Sequence, residues 1–93
     1  MAYFFEWDPV KATTNIADHG VTFDEASTVF GDPLALLMFD PDHSEDEERY
    51  VVLGRSTQQR LLVVAFAERW PRTRLISARR ASPRERRRYE AKS

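Results

Sequence analysis

The chain has no cysteine among its 93 residues, which excludes disulfide staples, thiolate metal sites and cysteine nucleophiles. It has no apolar run near the roughly 18 residues that a membrane-spanning helix needs. The opening stretch, Met1-Ala2-Tyr3-Phe4-Phe5-Glu6-Trp7-Asp8, lacks the basic start and long apolar core of a signal peptide. The chain therefore reads as cytoplasmic, with no membrane partner. There are only three glycines, no internal repeat and no low-complexity linker, so residues 1–93 read as one domain. Each half is also nearly without one sign of charge. Residues 1–48 hold a single base, Lys11, and twelve acids, for a charge of -11; residues 49–93 hold thirteen bases and three acids (Glu68, Glu85, Glu90), for +10. The formal total of -1 argues against a nucleic-acid partner, whereas the split beneath it argues for one.

What is present is 42% hydrophobic and 12% aromatic, enough for a real core. Residues 3–7 are short and aromatic and predict a first strand. Asp8 followed by Pro9 opens a helix to about His19, which Gly20 closes. Thr22-Phe23-Asp24-Glu25 is a capping box opening a second helix, stopped by Gly31-Asp32-Pro33. Residues 34–39 form an apolar strand, 40–48 an acidic loop and 49–55 another strand. Residues 61–67 are apolar on both faces, as a central strand is. Residues 74–80 make the last strand. Ser82-Pro83-Arg84-Glu85 is a second capping box, opening a basic helix to about Lys92. The order β-α-α-β-β-β-β-α with short links predicts an α+β fold: a small antiparallel sheet, two N-terminal helices and a basic C-terminal helix.

The basic half is rich in Arg, whose guanidinium fork binds phosphate bidentately and stacks on bases. Arg49, Arg55 and Arg60 fall at strand ends; Arg69, Arg72 and Arg74 surround Trp70; Arg79 and Arg80 lead into the basic helix. With Tyr50, Trp70 and Tyr89 interleaved, this half suits single-stranded RNA as well as a solvated face neutralised by the acidic half. Metal-free RNA cleavage needs a base, an acid and cations for the phosphate. Glu68, at the end of the central strand, is a candidate base or a salt-bridge partner. His19 is a candidate acid or base, or a helix-terminal charge. Asp40, Asp42, His43 and Glu45 have no recognised metal-ligand spacing, so no metal and no cofactor is expected. Arg79 and Arg80, adjacent on a strand, point to opposite faces.

Taken together, several stretches resemble the BrnT toxin family. These are Phe5-Glu6-Trp7-Asp8-Pro9 with Lys11 and Asn15, His19-Gly20-Val21 with Phe23 and Glu25-Ala26, and Phe30-Gly31-Asp32-Pro33. Glu48-Arg49 through Gly54-Arg55, Ile76-Ser77-Ala78-Arg79-Arg80-Ala81, Glu85-Arg86 and Tyr89-Glu90 extend the likeness over nearly the whole chain. The resemblance implies a RelE-like fold and the toxin of a type II toxin–antitoxin pair, an endoribonuclease that inhibits translation. It implies a BrnA-type ribbon-helix-helix antitoxin in a 2:2 heterotetramer, reaching operator DNA only through that antitoxin. Carried onto this chain, it assigns catalysis to Arg55, Glu68, Arg79, Arg80 and Tyr89. RNA contacts then fall to Arg49, Trp70, Arg74, Lys11 and His19. In that scheme the arginines hold phosphate, Glu68 is the base and Tyr89 stacks or orients. The competing reading is a non-enzymatic interaction module, a co-repressor whose double-sided central strand takes an external cover.

Overall fold

A computed structural model describes residues 4–39 and 48–91. The acidic loop at 40–47, with Asp40, Asp42, His43 and Glu45, lies outside the described residues, as do Tyr3 and Lys92. The elements are β1 (Phe5–Glu6), α1 (Pro9–His19), α2 (Phe23–Thr28) running into a 3-10 turn (Val29–Gly31), β2 (Leu36–Phe39), β3 (Arg49–Arg55), β4 (Leu61–Arg69), β5 (Arg72–Arg80) and α3 (Pro83–Glu90). Order and class match the sequence reading, but the sheet is not purely antiparallel. Its strand order is β1-β5-β4-β3-β2, and β1 pairs parallel with β5. The chain leaves β1 through two helices and joins the far side of the sheet, so its first and last strands meet pointing the same way.

Local chemistry sets most element ends. Asp8 accepts from the Val10 N–H at 2.8 Å and starts α1. Gly20 ends it at φ 66°, where its N–H reaches the Ile16 carbonyl. β2 begins two residues later than the apolar run suggests. The Asp32 carboxylate takes the Leu34 N–H at 2.9 Å, and the Asp32 carbonyl takes the Ala35 N–H, which holds Pro33-Leu34 in a turn. At the other hairpin β4 and β5 run further than expected, to Arg69 and from Arg72. Ser82 and Glu85 form the full capping box of α3. Thr22 caps α2 by accepting the Glu25 N–H, but Glu25 does not complete the box. Its buried carboxylate turns to Ser56 and Arg60 instead.

The sheet has two unlike faces. On one, α1, α2 and the 3-10 turn pack Val21, Phe23, Ala26 and Val29 onto Val52, Leu62, Val64, Phe66, Leu75 and Ala78. On the other, among the described residues, α3 sets Tyr89 against Leu53, Leu61 and Val63. The central strand is thus covered on its second face by the chain's own last helix at one end. Among the described residues no other helix joins that cluster.

Two buried polar side chains tie the layers together. Asn15 of α1 donates to the carbonyls of Val21 and Ala78 and accepts the Ala78 N–H at 3.0 Å. It serves the backbone of β5 beyond the two residues that β1 covers. Glu25 binds Arg60, which also donates to the Gly20 carbonyl. The Arg60 hydrogen bond is the main reason the Glu25 carboxyl is held below its ordinary range against its burial.

Candidate active site

Cross-strand register decides which arginines share a face, because directly paired residues point the same way. Leu53 pairs with Val63 and Val63 with Arg79, which places Arg79 on the face beside α3. Arg49 pairs with Ala67, Ala67 with Arg74, and Arg74 with Glu6, making a row across four strands. Arg69 pairs with Arg72 on the same face. Between the Arg79 row and the Arg74 row lies a floor of Val51, Ala65 and Ser77. Four residues of β4 separate those rows, about 13 Å at strand spacing. This strip of sheet face, here called the trough, therefore has Arg79 on one side and Arg49 and Arg74 on the other.

One irregularity makes this possible. Arg74 and Arg79 are five residues apart, an odd number that strict alternation would send to opposite faces. A bulge intervenes: Ala65 pairs with Ser77 but Phe66 with Leu75, leaving Ile76 as an extra residue on β5. Leu75 and Ala78 then both point into the helix-covered core, and Arg74 and Arg79 both point out of it.

Arg79 is held in place. Its Nη1 and Nη2 donate to Glu85 Oε1 and Oε2 at 2.8 and 2.9 Å, a bidentate pair with α3. The hydrogen bonds from Arg79 bring the Glu85 carboxyl down to about 2. Glu85 also caps its own helix through the Ser82 N–H. At the opposite side of the trough, Glu6 Oε2 accepts from Arg74 at 3.1 Å, and Arg72 Nε lies 3.9 Å from Oε1.

Tyr89 is a latch rather than a stacking surface. The residue is 4% exposed, and its hydroxyl donates to Asp32 Oδ2 at 2.7 Å. The same oxygen accepts the Arg55 N–H at 2.8 Å. Burial pushes the Asp32 carboxyl up, but the donors from Arg55, Tyr89 and Leu34 outweigh it and leave it below the ordinary range. The Arg55 guanidinium covers the Tyr89 ring, 5.6 Å from its centroid. Gly54 allows this junction. A Cβ there would come within 2.8 Å of Val29 Cγ1 and 3.3 Å of Asp32 Oδ2.

Of the five residues assigned to catalysis, only Arg55, Arg79 and Tyr89 lie on the α3 side of the sheet. Glu68 pairs with Thr73, accepts from its hydroxyl at 3.3 Å, and lines the helix-side face with Tyr50 and Phe66. It is five residues of β4 from the Arg79 row, about 17 Å, and on the opposite face. Arg80 is also on the helix side, paired with Leu62 and close enough to Glu25 to help lower its carboxyl. Of the residues assigned to RNA, Arg49 and Arg74 line the trough. Lys11 and His19 belong to a pocket between α1 and β5, and Trp70, 91% exposed, caps the β4–β5 turn. Sequence reasoning missed Glu6, Glu85 and Asp32 as partners. For Glu6 there was a signal, since it alternates with Phe5, which packs on the helix-side core.

The model of the ribonuclease toxin BrnT, of type II toxin–antitoxin systems, matches residues 7–85. This chain belongs to the BrnT family. A 1.1 Å crystal structure of the Brucella abortus ribonuclease toxin BrnT shares the fold, with a TM-score of 0.63 and 24% identity over 87% of this chain and 99% of that one. No curated protein matches the sequence. BrnT membership makes the chain a ribonuclease toxin by family, with RNA as substrate and an antitoxin as partner. Among the described residues no helix is long and apolar enough to cross a membrane.

Proposed function

We propose that this chain is a metal-independent endoribonuclease that cuts RNA in the arginine trough and so inhibits translation. The observation that carries the reading is the shared face of Arg79, Arg74 and Arg49. Three guanidinium groups on a rigid sheet can bind successive phosphates and stabilise the extra charge of a pentavalent phosphate. The floor of Ala65 and Ser77 leaves room for the backbone to approach. Cleavage requires the 2′-hydroxyl to lose its proton as its oxygen attacks phosphorus, breaking the bond to the 5′-oxygen, which leaves by taking a proton from solvent water. Glu6 is the carboxylate on this face best suited to accept the first proton, beside Arg74 in the register. Glu85, with its carboxyl down at about 2, is a poor base near neutrality and acts as the holder of Arg79.

In this reading the partner is a BrnA-type ribbon-helix-helix antitoxin in a 2:2 assembly that reaches operator DNA. The test is RNA cleavage by purified protein with and without a chelator. Arg79→Ala and Arg74→Ala are each expected to lower the rate by 10²-fold or so. Arg80→Ala and Glu68→Gln, on the other face, should leave it near wild type. A large loss from Glu68→Gln with none from Arg79→Ala would overturn the assignment, and cleavage abolished by chelation would overturn metal independence.

A further inference from the structure

Among the described residues the helix-side face is not fully covered. Beyond the reach of α1 and α2 it opens into a groove of about 430 Å³, lined by Phe30, Ala35, Leu37, Tyr50, Phe66 and Glu68. Its floor is a ladder of rings. Phe30 meets Phe66 at 4.9 Å, Phe66 stacks on Tyr50 at 5.6 Å, and Tyr50 meets Phe39 at 5.5 Å. Leu37 and Phe39 remain 63% and 53% exposed on β2, the outermost strand, which has no neighbour on its outer side among the described residues. Large exposed apolar side chains beside a concave apolar floor mark a contact surface. Its charged groups are acidic: Glu68 lines it, and Glu48 accepts from the Tyr50 hydroxyl at 2.8 Å.

We propose that this groove is the anchoring site for a segment of the antitoxin, one that inserts apolar side chains over Leu37 and Tyr50 and brings Lys or Arg to Glu48 and Glu68. The proposal rests on the reading of the chain as a toxin with a protein antitoxin. Two other occupants fit less well. RNA would find aromatic rings, but none of the lining residues is a Lys or Arg, so its phosphates would meet carboxylates instead of cations. A second copy docking groove to groove across a two-fold axis would bring Glu48 and Glu68 against their own counterparts, like against like. A heterologous partner that is apolar and basic satisfies both the rings and the rim.

The test uses the complex of this chain with the antitoxin encoded beside its gene. Leu37→Asp and Glu68→Lys both alter exposed side chains on the groove, and circular dichroism checks their folding. Each is expected to weaken antitoxin affinity by about 10- to 100-fold while RNA cleavage by the free toxin stays at the wild-type rate. Unchanged antitoxin affinity overturns the proposal. So does lost RNA cleavage with antitoxin binding intact, which would make the groove an RNA site. A change in the free chain's oligomeric state with antitoxin affinity unchanged overturns it too, in favour of a second copy. The wild-type control separates the levels: a wild-type chain that binds no antitoxin takes down the toxin reading together with the groove. A wild type that binds normally, beside variants that also bind normally, takes down the groove alone.

Discussion

Asp32 accepts the Leu34 N–H on one oxygen and both the Arg55 N–H and the Tyr89 hydroxyl on the other. One carboxylate thus joins the turn before β2, the end of β3 and the last turn of α3. Removing only the hydroxyl, as in Tyr89→Phe, deletes a bond to a charged acceptor and is expected to cost about 2 kcal/mol in urea denaturation. The ring stays, so its packing on Leu53, Leu61 and Val63 stays. Because the ring is covered by its own sheet and by Arg55, RNA affinity should be retained in this variant. A stable Phe variant with weakened RNA binding would return Tyr89 to the role of a base-stacking residue. No residue pattern announced this: a Tyr in a basic helix suggests an RNA contact, and its true partner lies 57 positions away in the chain.

At the level of elements, α3 and β5 are joined by Arg79 and Glu85. The carboxyl of Glu85, held at about 2 against an ordinary 4.5 mainly by Arg79, gives that joint a pH dependence. A carboxylate whose folded pKa is depressed stabilises the fold above its unfolded pKa, and the contribution is lost as pH falls from about 4.5 towards 2. Both side chains are partly solvated, so screening reduces the effect to roughly 1 kcal/mol. Denaturation at pH 6 and pH 2.5 should show wild type losing that much more stability than Glu85→Gln. Equal losses would mean the pair contributes nothing to the docking of α3.

Elements such as α1 and α3 were legible because their caps are written locally, Asp8-Pro9 to Gly20 and Ser82-Pro83-Arg84-Glu85. The opposed placement of Arg79 and Arg80 was legible from strand alternation. The common face of Arg74 and Arg79 was not, because it depends on Ile76 being extra, and only pairing with β4 reveals that. The parallel seat of β1 was hidden for a similar reason, since two residues carry too little pattern to name a partner. Glu25 illustrates a competing outcome: its position in Thr22-Phe23-Asp24-Glu25 favours a cap, but burial next to Arg60 and Ser56 offers it stronger bonds.

Over the whole molecule, the two faces of the sheet differ in the charged side chains beside their exposed ends. Arginines line the α3 side, while the aromatic groove on the other face ends in Glu48 and Glu68. RNA binding in the trough should then depend steeply on salt. For single strands each neutralised phosphate adds about 0.7 to the slope of log affinity against log salt. Arg74→Ala and Arg79→Ala are each expected to reduce that slope by about 0.7, measured by fluorescence anisotropy with a non-cleavable oligonucleotide. Arg80→Ala, across the sheet, should leave it unchanged. A uniform slope across all three variants would mean that RNA does not sit in the trough.

A single layer of backbone separates the groove from the trough, so ligands on the two sides share no atoms. In kinetic terms, an isolated segment anchored in the groove is a silent ligand: it leaves both kcat and KM for RNA cleavage as they were. Neutralisation must come from whatever the anchored chain carries around the sheet edge, delivered at the high local concentration that tethering creates. Shortening the antitoxin beyond its anchor should therefore abolish inhibition well before it abolishes binding.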